Sequence, residues 1–463
     1  MQRLFDEVNS LDEACYEKYH LTPDLLMEHA ALNVSNYIQK RFPLQKKVLI
    51  ITGPGHNGAD GLALSRLLSR DYDVNVFEYK EQRSDLGQLQ KKRAVSSFVT
   101  FLDAICCDAD VIVDALFGSG LNRALDEISA ELMQEINMLK AFKIAVDVPS
   151  GILSDGRCSS AAFRADTTIT MGALKSSLYS DEAKELTGEV IVADLGVSRS
   201  LYEKTSTMYV LDIDDMRLPV RFEANTHKGS FGHACFISGE KSGASIMAGL
   251  SALNFGAGLV TLISDEAKEI PFELMQSRDI PHNCTALSLG MGLGVYDDQL
   301  HDKVMLFDKT LLIDADIFYD EKIRSLLTKE IVLTPHPKEF CSLLKITGVA
   351  DIDVKTLQQN RLKYVRLFMQ SFPKVVLLLK GANVIIASQD NIYINPHGST
   401  VLSKGGSGDV LSGLITALLA QNYSPIEATI TASLAHATAG NRVKKSSYAV
   451  TPKDLIKQVA FLE

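Results

Sequence analysis

A chain of 463 residues can hold two or three domains, each with its own core. Its 46% apolar and 22% charged residues are ordinary for a soluble globular protein, and a net charge of −10 argues against a nucleic-acid partner. No apolar run approaches membrane-spanning length, residues 1–7 lack a signal-peptide core, and seven cysteines without Cys-x-x-Cys argue against disulfides or zinc, so a cytoplasmic protein is expected.

The chain is expected to begin with helices. Thr22-Pro23-Asp24 supplies a favoured N-cap and a proline at the first helical position. Leu26, Met27, Ala30, Ala31, Val34 and Ile38 then recur at helical spacing. After Pro43 the period changes, and residues 47–51 read as a buried parallel strand. The loop Thr52-Gly53-Pro54-Gly55-His56-Asn57-Gly58-Ala59-Asp60-Gly61 follows, then a helix with Leu62, Ala63, Leu67 and Leu68 inward. Strand, glycine loop and helix form a nucleotide-binding arrangement, although the spacing is not Gly-x-Gly-x-x-Gly.

Further strands are expected at 74–77, 111–113, 143–146, 168–171 and 190–192. Between them, the adjacent Cys106 and Cys107 read as packed or partly exposed thiols. One strand ends in Asp114-Ala115-Leu116-Phe117-Gly118-Ser119-Gly120-Leu121, and another in Asp147-Val148-Pro149-Ser150-Gly151. Ligands of open parallel sheets sit beyond the carboxyl ends of strands, so Asn57, Asp60, Asp114, Asp147 and Ser150 would share one crevice. A single strand-end aspartate is as often a loop cap. An all-oxygen group suits K⁺ or Mg²⁺ rather than zinc.

These stretches resemble NAD(P)H-hydrate epimerase, a Rossmann-like domain, over about residues 4–197. The resemblance implies a three-layer α/β domain whose His56, Asn57, Gly58, Ala59, Asp60, Gly118, Ser119, Gly120, Leu121, Asn122, Arg123, Ala124 and Asp147 contact the hydrated nucleotide. It also implies K⁺ on Asn57, Asp114 and Ser150, and a catalytic Asp147. The family usually has Asn at 56 and Gly at 59, where this chain has His56 and Ala59. Lys175 reads as a phosphate partner or, more commonly, a solvated lysine.

Residues 211–224 carry Asp212, Asp214, Asp215, Arg217, Pro219, Arg221 and Glu223 and break the strand–helix rhythm. Domains are therefore expected at 1–212 and 213–463. The second half restarts with strands at 234–238, 259–263, 286–289, 311–313, 331–333, 375–379 and 391–395. A small-residue helix opens at Gly243-Ala244-Ser245.

Ser403-Lys404-Gly405-Gly406-Ser407-Gly408-Asp409 then precedes an apolar helix at 410–419. Its glycines let backbone N–H groups approach a ligand, and the helix start favours a phosphate. A carboxylate at that mouth makes sense as a base that takes a proton from an attacking hydroxyl; the alternative is that Asp409 merely caps the helix.

Thr334-Pro335-His336-Pro337-Lys338-Glu339-Phe340, Lys380-Gly381-Ala382 and Gly405-Gly406-Ser407-Gly408-Asp409 resemble a ribokinase-like domain, the ADP-dependent NAD(P)H-hydrate dehydratase, from about residue 225 onward. The resemblance implies that Ala244, Gly292, His336 and a catalytic Asp409 line the hydrate site. Lys380, Gly381, Ala382, Asn383, Val384 and Gly408 would hold the adenine nucleotide, with ADP as co-substrate and Mg²⁺. Lys380 could instead be a salt-bridge partner, and His436 reads as a packed helix residue. The implied whole is a cytoplasmic homo-oligomer that epimerises and dehydrates hydrated NADH and NADPH, with no membrane or nucleic-acid partner. The alternative is a ribokinase-like small-molecule kinase fused to a non-catalytic Rossmann-like binding module.

Overall fold

The computed structural model describes residues 1–105, 108–266 and 269–463; the expectation for Cys106 and Cys107 lies outside them. By contact the chain divides into two compact units, one covering 3–206 and the other 207–463 together with residues 1–2. The segment 211–224 lies inside the second unit. There Leu211 is buried, and Ile213, Met216 and Leu218 pack against its core.

In the first unit a short strand, Gln2–Phe5, precedes the helices that were expected to come first, and its Leu4 pairs with Leu174. The helix Pro23–Arg41 starts as its sequence dictates, with the Thr22 hydroxyl accepting from the Leu25 amide. The main sheet is built from β1 (Lys47–Thr52), β2 (Asp73–Glu78), β3 (Thr100–Leu102), β4 (Val111–Ala115), β5 (Phe142–Val146), β6 (Thr167–Met171) and β7 (Glu189–Ala193). All pairings are parallel, in the order β3-β2-β1-β4-β5-β6-β7. The order reverses beside β1, which opens the crevice where a Rossmann-like sheet binds nucleotides.

Alternate strand residues face opposite layers. Val48, Ile50, Val111 and Val113 pack with Leu26, Ala30, Leu62 and Ala63. Leu49, Ile51 and Ile112 pack with Leu132, Met133 and Ile136 of the helix Glu127–Met138. The result is the expected three-layer domain.

The second unit carries β8 (Met208–Val210), β9 (His233–Ile237), β10 (Leu259–Ile263), β11 (Met275–Ser277), β12 (Ala286–Leu289), β13 (Leu311–Ile313), β14 (Ile331–Leu333), β15 (Val376–Leu379), β16 (Val384–Ser388) and β17 (Asn391–Asn395). Their order is β11-β10-β9-β12-β13-β14-β15-β16-β17-β8. The run from β11 to β15 is parallel, and β16 is antiparallel to both neighbours. The strands β8, β11 and β16 were not anticipated: two are three residues long, and β16 is a hairpin partner of β17.

One face is covered by the helices Ser242–Asn254, Ser407–Ala420 and Pro425–Arg442, whose apolar residues join Phe236, Val260, Leu312 and Val376 in one core. Ser407–Ala420 is buried along nearly its whole length. It approaches Ser242–Asn254 closely because Gly413 has no side chain: a Cβ there would lie 2.1 Å from the Ala248 carbonyl oxygen. The Ser251 hydroxyl completes the contact, donating to the Val410 carbonyl at 2.8 Å. Among the described residues no helix is long and apolar enough to cross a membrane.

Gly413→Ala should therefore push these helices apart and destabilise the second unit by about 1–3 kcal/mol, the usual range for overpacking. Urea unfolding followed by circular dichroism would measure it, and an unchanged midpoint would show that the helices give way freely.

Candidate functional sites

In the first unit the glycine loop is held by backbone contact. A Cβ on Gly53 would lie 1.8 Å from the Leu116 carbonyl oxygen, and one on Gly58 would lie 1.8 Å from that of Gly53. The loop leads into the helix His56–Leu68, which places Asn57 in its first turn. Asn57 is buried, and neither its amide oxygen nor its amide nitrogen has a partner. A Cβ on Gly118 would lie 2.9 Å from Asp147 Oδ2 and 3.3 Å from Asn57 Cγ, so these three residues meet.

Asp114, near the end of β4, is fully buried. It accepts hydrogen bonds from the Ser150 amide (2.7 Å), the Ser150 hydroxyl (2.7 Å) and the Leu116 amide (3.1 Å). Burial pushes its carboxyl up to about 6 despite those donors. Asp147 follows β5 with φ of 68°, a left-handed conformation uncommon outside glycine and often kept at functional sites. It accepts from the Ser119 amide at 2.9 Å and pairs with the Lys175 ammonium at 2.7 Å.

Lys175 is neither solvated nor a free phosphate partner. It is 2% exposed, and it also donates to Thr170 Oγ1 and the Met171 carbonyl. Burial opposes ionisation of Asp147, but Lys175 and the Ser119 donors hold its carboxyl below the usual range. Asp60, one turn beyond Asn57, behaves oppositely: burial, then the charges of Asp147 and Asp12, push it well above that range. Asp12 itself accepts from the Tyr202 hydroxyl at 2.7 Å. His56 lies exposed at the first position of its helix, Gly120, Asn122, Arg123 and Ala124 lie exposed on a flanking loop, and Ala59 is fully buried.

In the second unit the polar residues stand at the carboxyl ends of adjacent strands. Asp314 follows β13, His336 follows β14 and Lys380 follows β15. Lys380 Nζ is 2.8 Å from Asp314 Oδ1, so the salt-bridge alternative is realised, and Ser412 Oγ donates to Asp314 Oδ2 at 2.7 Å. The ammonium also lies under the glycine turn, 3.3 Å from where a Gly408 Cβ would be. Gly406 caps the helix Ser407–Ala420 in a left-handed conformation, φ 89°. Asp409, in the first helical turn, makes no capping hydrogen bond. Burial, followed by the Asp314 charge, pushes its carboxyl up to about 6, with Lys380 working the other way. The Ser407 amide already donates to the Lys404 carbonyl, whereas among the described residues the amides of Gly406 and Gly408 make no backbone hydrogen bond outside the helix.

His336 is half-exposed and caps the helix Pro337–Thr347. Its Nδ1 accepts from the Lys338 and Glu339 amides, and its Nε2 is 3.1 Å from Glu339 Oε1. Burial pushes the Glu339 carboxyl up to about 7. Gly292, φ 59°, faces Ala244: a Cβ there would lie 3.2 Å from that of Ala244. The turn 380–383 is pinned by Arg361, which donates to the carbonyls of Leu379, Lys380 and Asn383. His436 is a buried helix residue, as expected, with its Nε2 3.1 Å from Ser407 Oγ.

A relative from Helicobacter pylori, described as a bifunctional NAD(P)H-hydrate repair enzyme Nnr, is 42% identical over 99% of this chain and 99% of its own. The chain belongs to the bifunctional NAD(P)H-hydrate repair family. A relative of the same description from Dictyoglomus turgidum is 30% identical over 98% of this chain and 96% of its own. The family described as NAD(P)H-hydrate dehydratase matches residues 234–460, and that described as YjeF-related protein N-terminus matches residues 23–177. A solved ADP/ATP-dependent NAD(P)H-hydrate dehydratase from Bacillus subtilis, co-crystallized with ATP/Mg²⁺, is 26% identical over 52% of this chain and 92% of its own, with a TM-score of 0.45. Both units are α/β, each with a mostly parallel sheet.

Sequence reasoning missed Asp314, Glu339, Arg361 and the role of Lys175 as site builders. Asp314 had a signal, since it directly follows an apolar strand. Arg361 had none, being an ordinary helix residue until the fold brings it to three carbonyls.

Because Asp147 is buried, its charge depends on Lys175. Lys175→Met should leave it unpaired and destabilise the first unit by about 3–5 kcal/mol at neutral pH. Thermal unfolding at pH 7.5 checks this, and adding Asp147→Asn should restore part of the loss.

Proposed function

We propose that the chain repairs hydrated NADH and NADPH. Residues 1–212 interconvert the R and S epimers, and residues 213–463 dehydrate the S epimer with ADP, giving AMP and phosphate. The observation that carries the second activity is Asp409, which stands half-buried at a phosphate-binding helix start with no capping role.

The hydrate bears a hydroxyl on its reduced ring, and hydroxide is a poor leaving group. Asp409 takes the proton of that hydroxyl as its oxygen attacks the terminal phosphorus of ADP, and AMP departs. The Gly406 and Gly408 amides and Lys380 hold the transferred phosphoryl group. The ring nitrogen's lone pair then expels phosphate, and loss of the neighbouring carbon-bound proton restores the dihydropyridine. Ala244, Gly292 and His336 line the hydrate, and Lys380, Gly381, Ala382, Asn383, Val384 and Gly408 flank the nucleotide. Mg²⁺, when bound, neutralises the nucleotide phosphates.

Epimerisation needs the hydroxyl to leave and return on the opposite face. Asp60, its carboxyl pushed well up by burial, suits donation to the departing hydroxyl, and Asp147, its carboxyl held down by Lys175, suits the incoming water. Two carboxyls pushed apart in this way divide acid and base roles between them. Asn57, Asp114 and Ser150 form an oxygen set that fits K⁺, and the unpartnered buried amide of Asn57 supports that fit. K⁺ would supply fixed positive charge beside the nucleotide. The substrates NADHX, NADPHX and ADP are small molecules, and the resemblance points to a cytoplasmic homo-oligomer.

The test is incubation of purified protein with both hydrate epimers, with and without ADP, following NADH absorbance. Full conversion with ADP is expected, and formation of a stable phosphorylated sugar or vitamin precursor instead would favour a kinase. Asp409→Asn should lose roughly 10²–10⁴-fold in turnover while still binding ADP. A base must be ionised, so wild-type kcat/KM for dehydration should climb as pH rises through about 6 and then level off. Asp114→Ala should abolish any K⁺ dependence of epimerisation and spare ADP-driven dehydration of the S epimer. Equal loss of both activities would mean the substitution unfolds the chain.

A further inference from the structure

The residues assigned to the dehydration step stand at the ends of β13, β14 and β15, but the same edge of the sheet carries a second hollow. At the ends of β9 and β10, a cleft of about 170 Å³ is lined by Ser238, Gly239, Ser264, Arg278, Leu293 and Lys303, among others. It is smaller than the roughly 300 Å³ or more of a site for a whole drug-sized ligand. It therefore suits one end of a longer molecule.

This cleft shares a wall with the hydrate site. The turn 239–241 and the loop 292–293 lie back to back: the amides of Glu240 and Lys241 donate to the carbonyls of Leu293 and Gly292. A Cβ on Gly239 would lie 2.0 Å from the Leu293 carbonyl oxygen. Gly292 faces Lys241 and Ala244 on one side of this wall, and Gly239 and Leu293 line the cleft on the other.

The cleft has apolar parts, two cations, Arg278 and Lys303, and two carboxylates, Asp265 and Asp297, of which Asp297 is taken up by the Leu300 amide. Ile237, Ile263 and Leu293 provide apolar surface. Arg278 makes no ion pair or hydrogen bond among the described residues, and Lys303 is held by exposed Asp279 at 3.1 Å. A planar base against aliphatic side chains, next to a free guanidinium able to grip phosphate oxygens, is nucleotide chemistry.

We propose that this cleft binds the phosphate-bearing adenosine half of the hydrated dinucleotide, with Arg278 contacting its phosphates. The inference rests on the dehydratase reading above. The reacting ring lies by Ala244, Gly292 and Asp409, the ADP co-substrate lies towards β15 and β16, and the substrate's own tail runs the other way, towards β9 and β10.

The test compares hydrated NADH with hydrated reduced nicotinamide mononucleotide, which has the same reacting ring and lacks the adenosine half. In the full-length protein with ADP, the wild type should prefer the dinucleotide in kcat/KM. Arg278→Ala should reduce that preference about tenfold, mainly through the KM of the dinucleotide, and Lys303→Ala should reduce it less. A preference unchanged by both substitutions, or equal losses on the two substrates, would overturn the assignment. Absence of dehydration of either hydrate by the wild type would instead overturn the dehydratase reading itself.

Discussion

Each unit is arranged around a buried aspartate that is paired with a lysine. In the first, Asp147 and Lys175 are 2.7 Å apart, and in the second Asp314 and Lys380 are 2.8 Å apart. A carboxylate taken out of water needs such a partner, because burial alone would protonate it. Once paired, it becomes a fixed reference charge that sets its neighbours. Asp147 helps to raise Asp60, and Asp314 helps to raise Asp409. In both units a carboxyl pushed above its usual range thus sits near one paired with a lysine.

Close backbone approach at glycines makes these placements possible. Gly53 and Gly58 let the first loop fold against 116 and against itself, and Gly413 lets the helix Ser407–Ala420 settle on Ser242–Asn254. That docking sets where Ser412 meets Asp314, and so where the helix start carrying Gly406, Gly408 and Asp409 stands above Lys380. A packing constraint in the core is thereby tied to the geometry of a phosphate site.

The sequence determined much of this protein. Apolar strands separated by helical stretches specify parallel sheets covered on both faces, because only buried strands read as continuous Val, Ile and Leu. Strand-end polar residues marked Asp114, Asp147, His336 and Lys380, and the glycine runs marked both loops. The strands Thr100–Leu102, Met208–Val210, Met275–Ser277 and Val384–Ser388 were not legible, since short runs without a clear apolar stretch carry too little period.

Tertiary structure alone decided the partnerships. Lys175 reads as a solvated strand-end lysine until folding buries it against Asp147, and Asp409 keeps a cap as its alternative reading until the helix start falls on Gly406 instead. His336 looks like a free loop side chain between prolines, yet its ring is taken up by the amides of Lys338 and Glu339. Arg361 is an unremarkable helix residue that the fold turns into the clamp of the 380–383 turn. These outcomes depend on which distant groups share a low-dielectric space, and a linear pattern of residue types does not contain that distance.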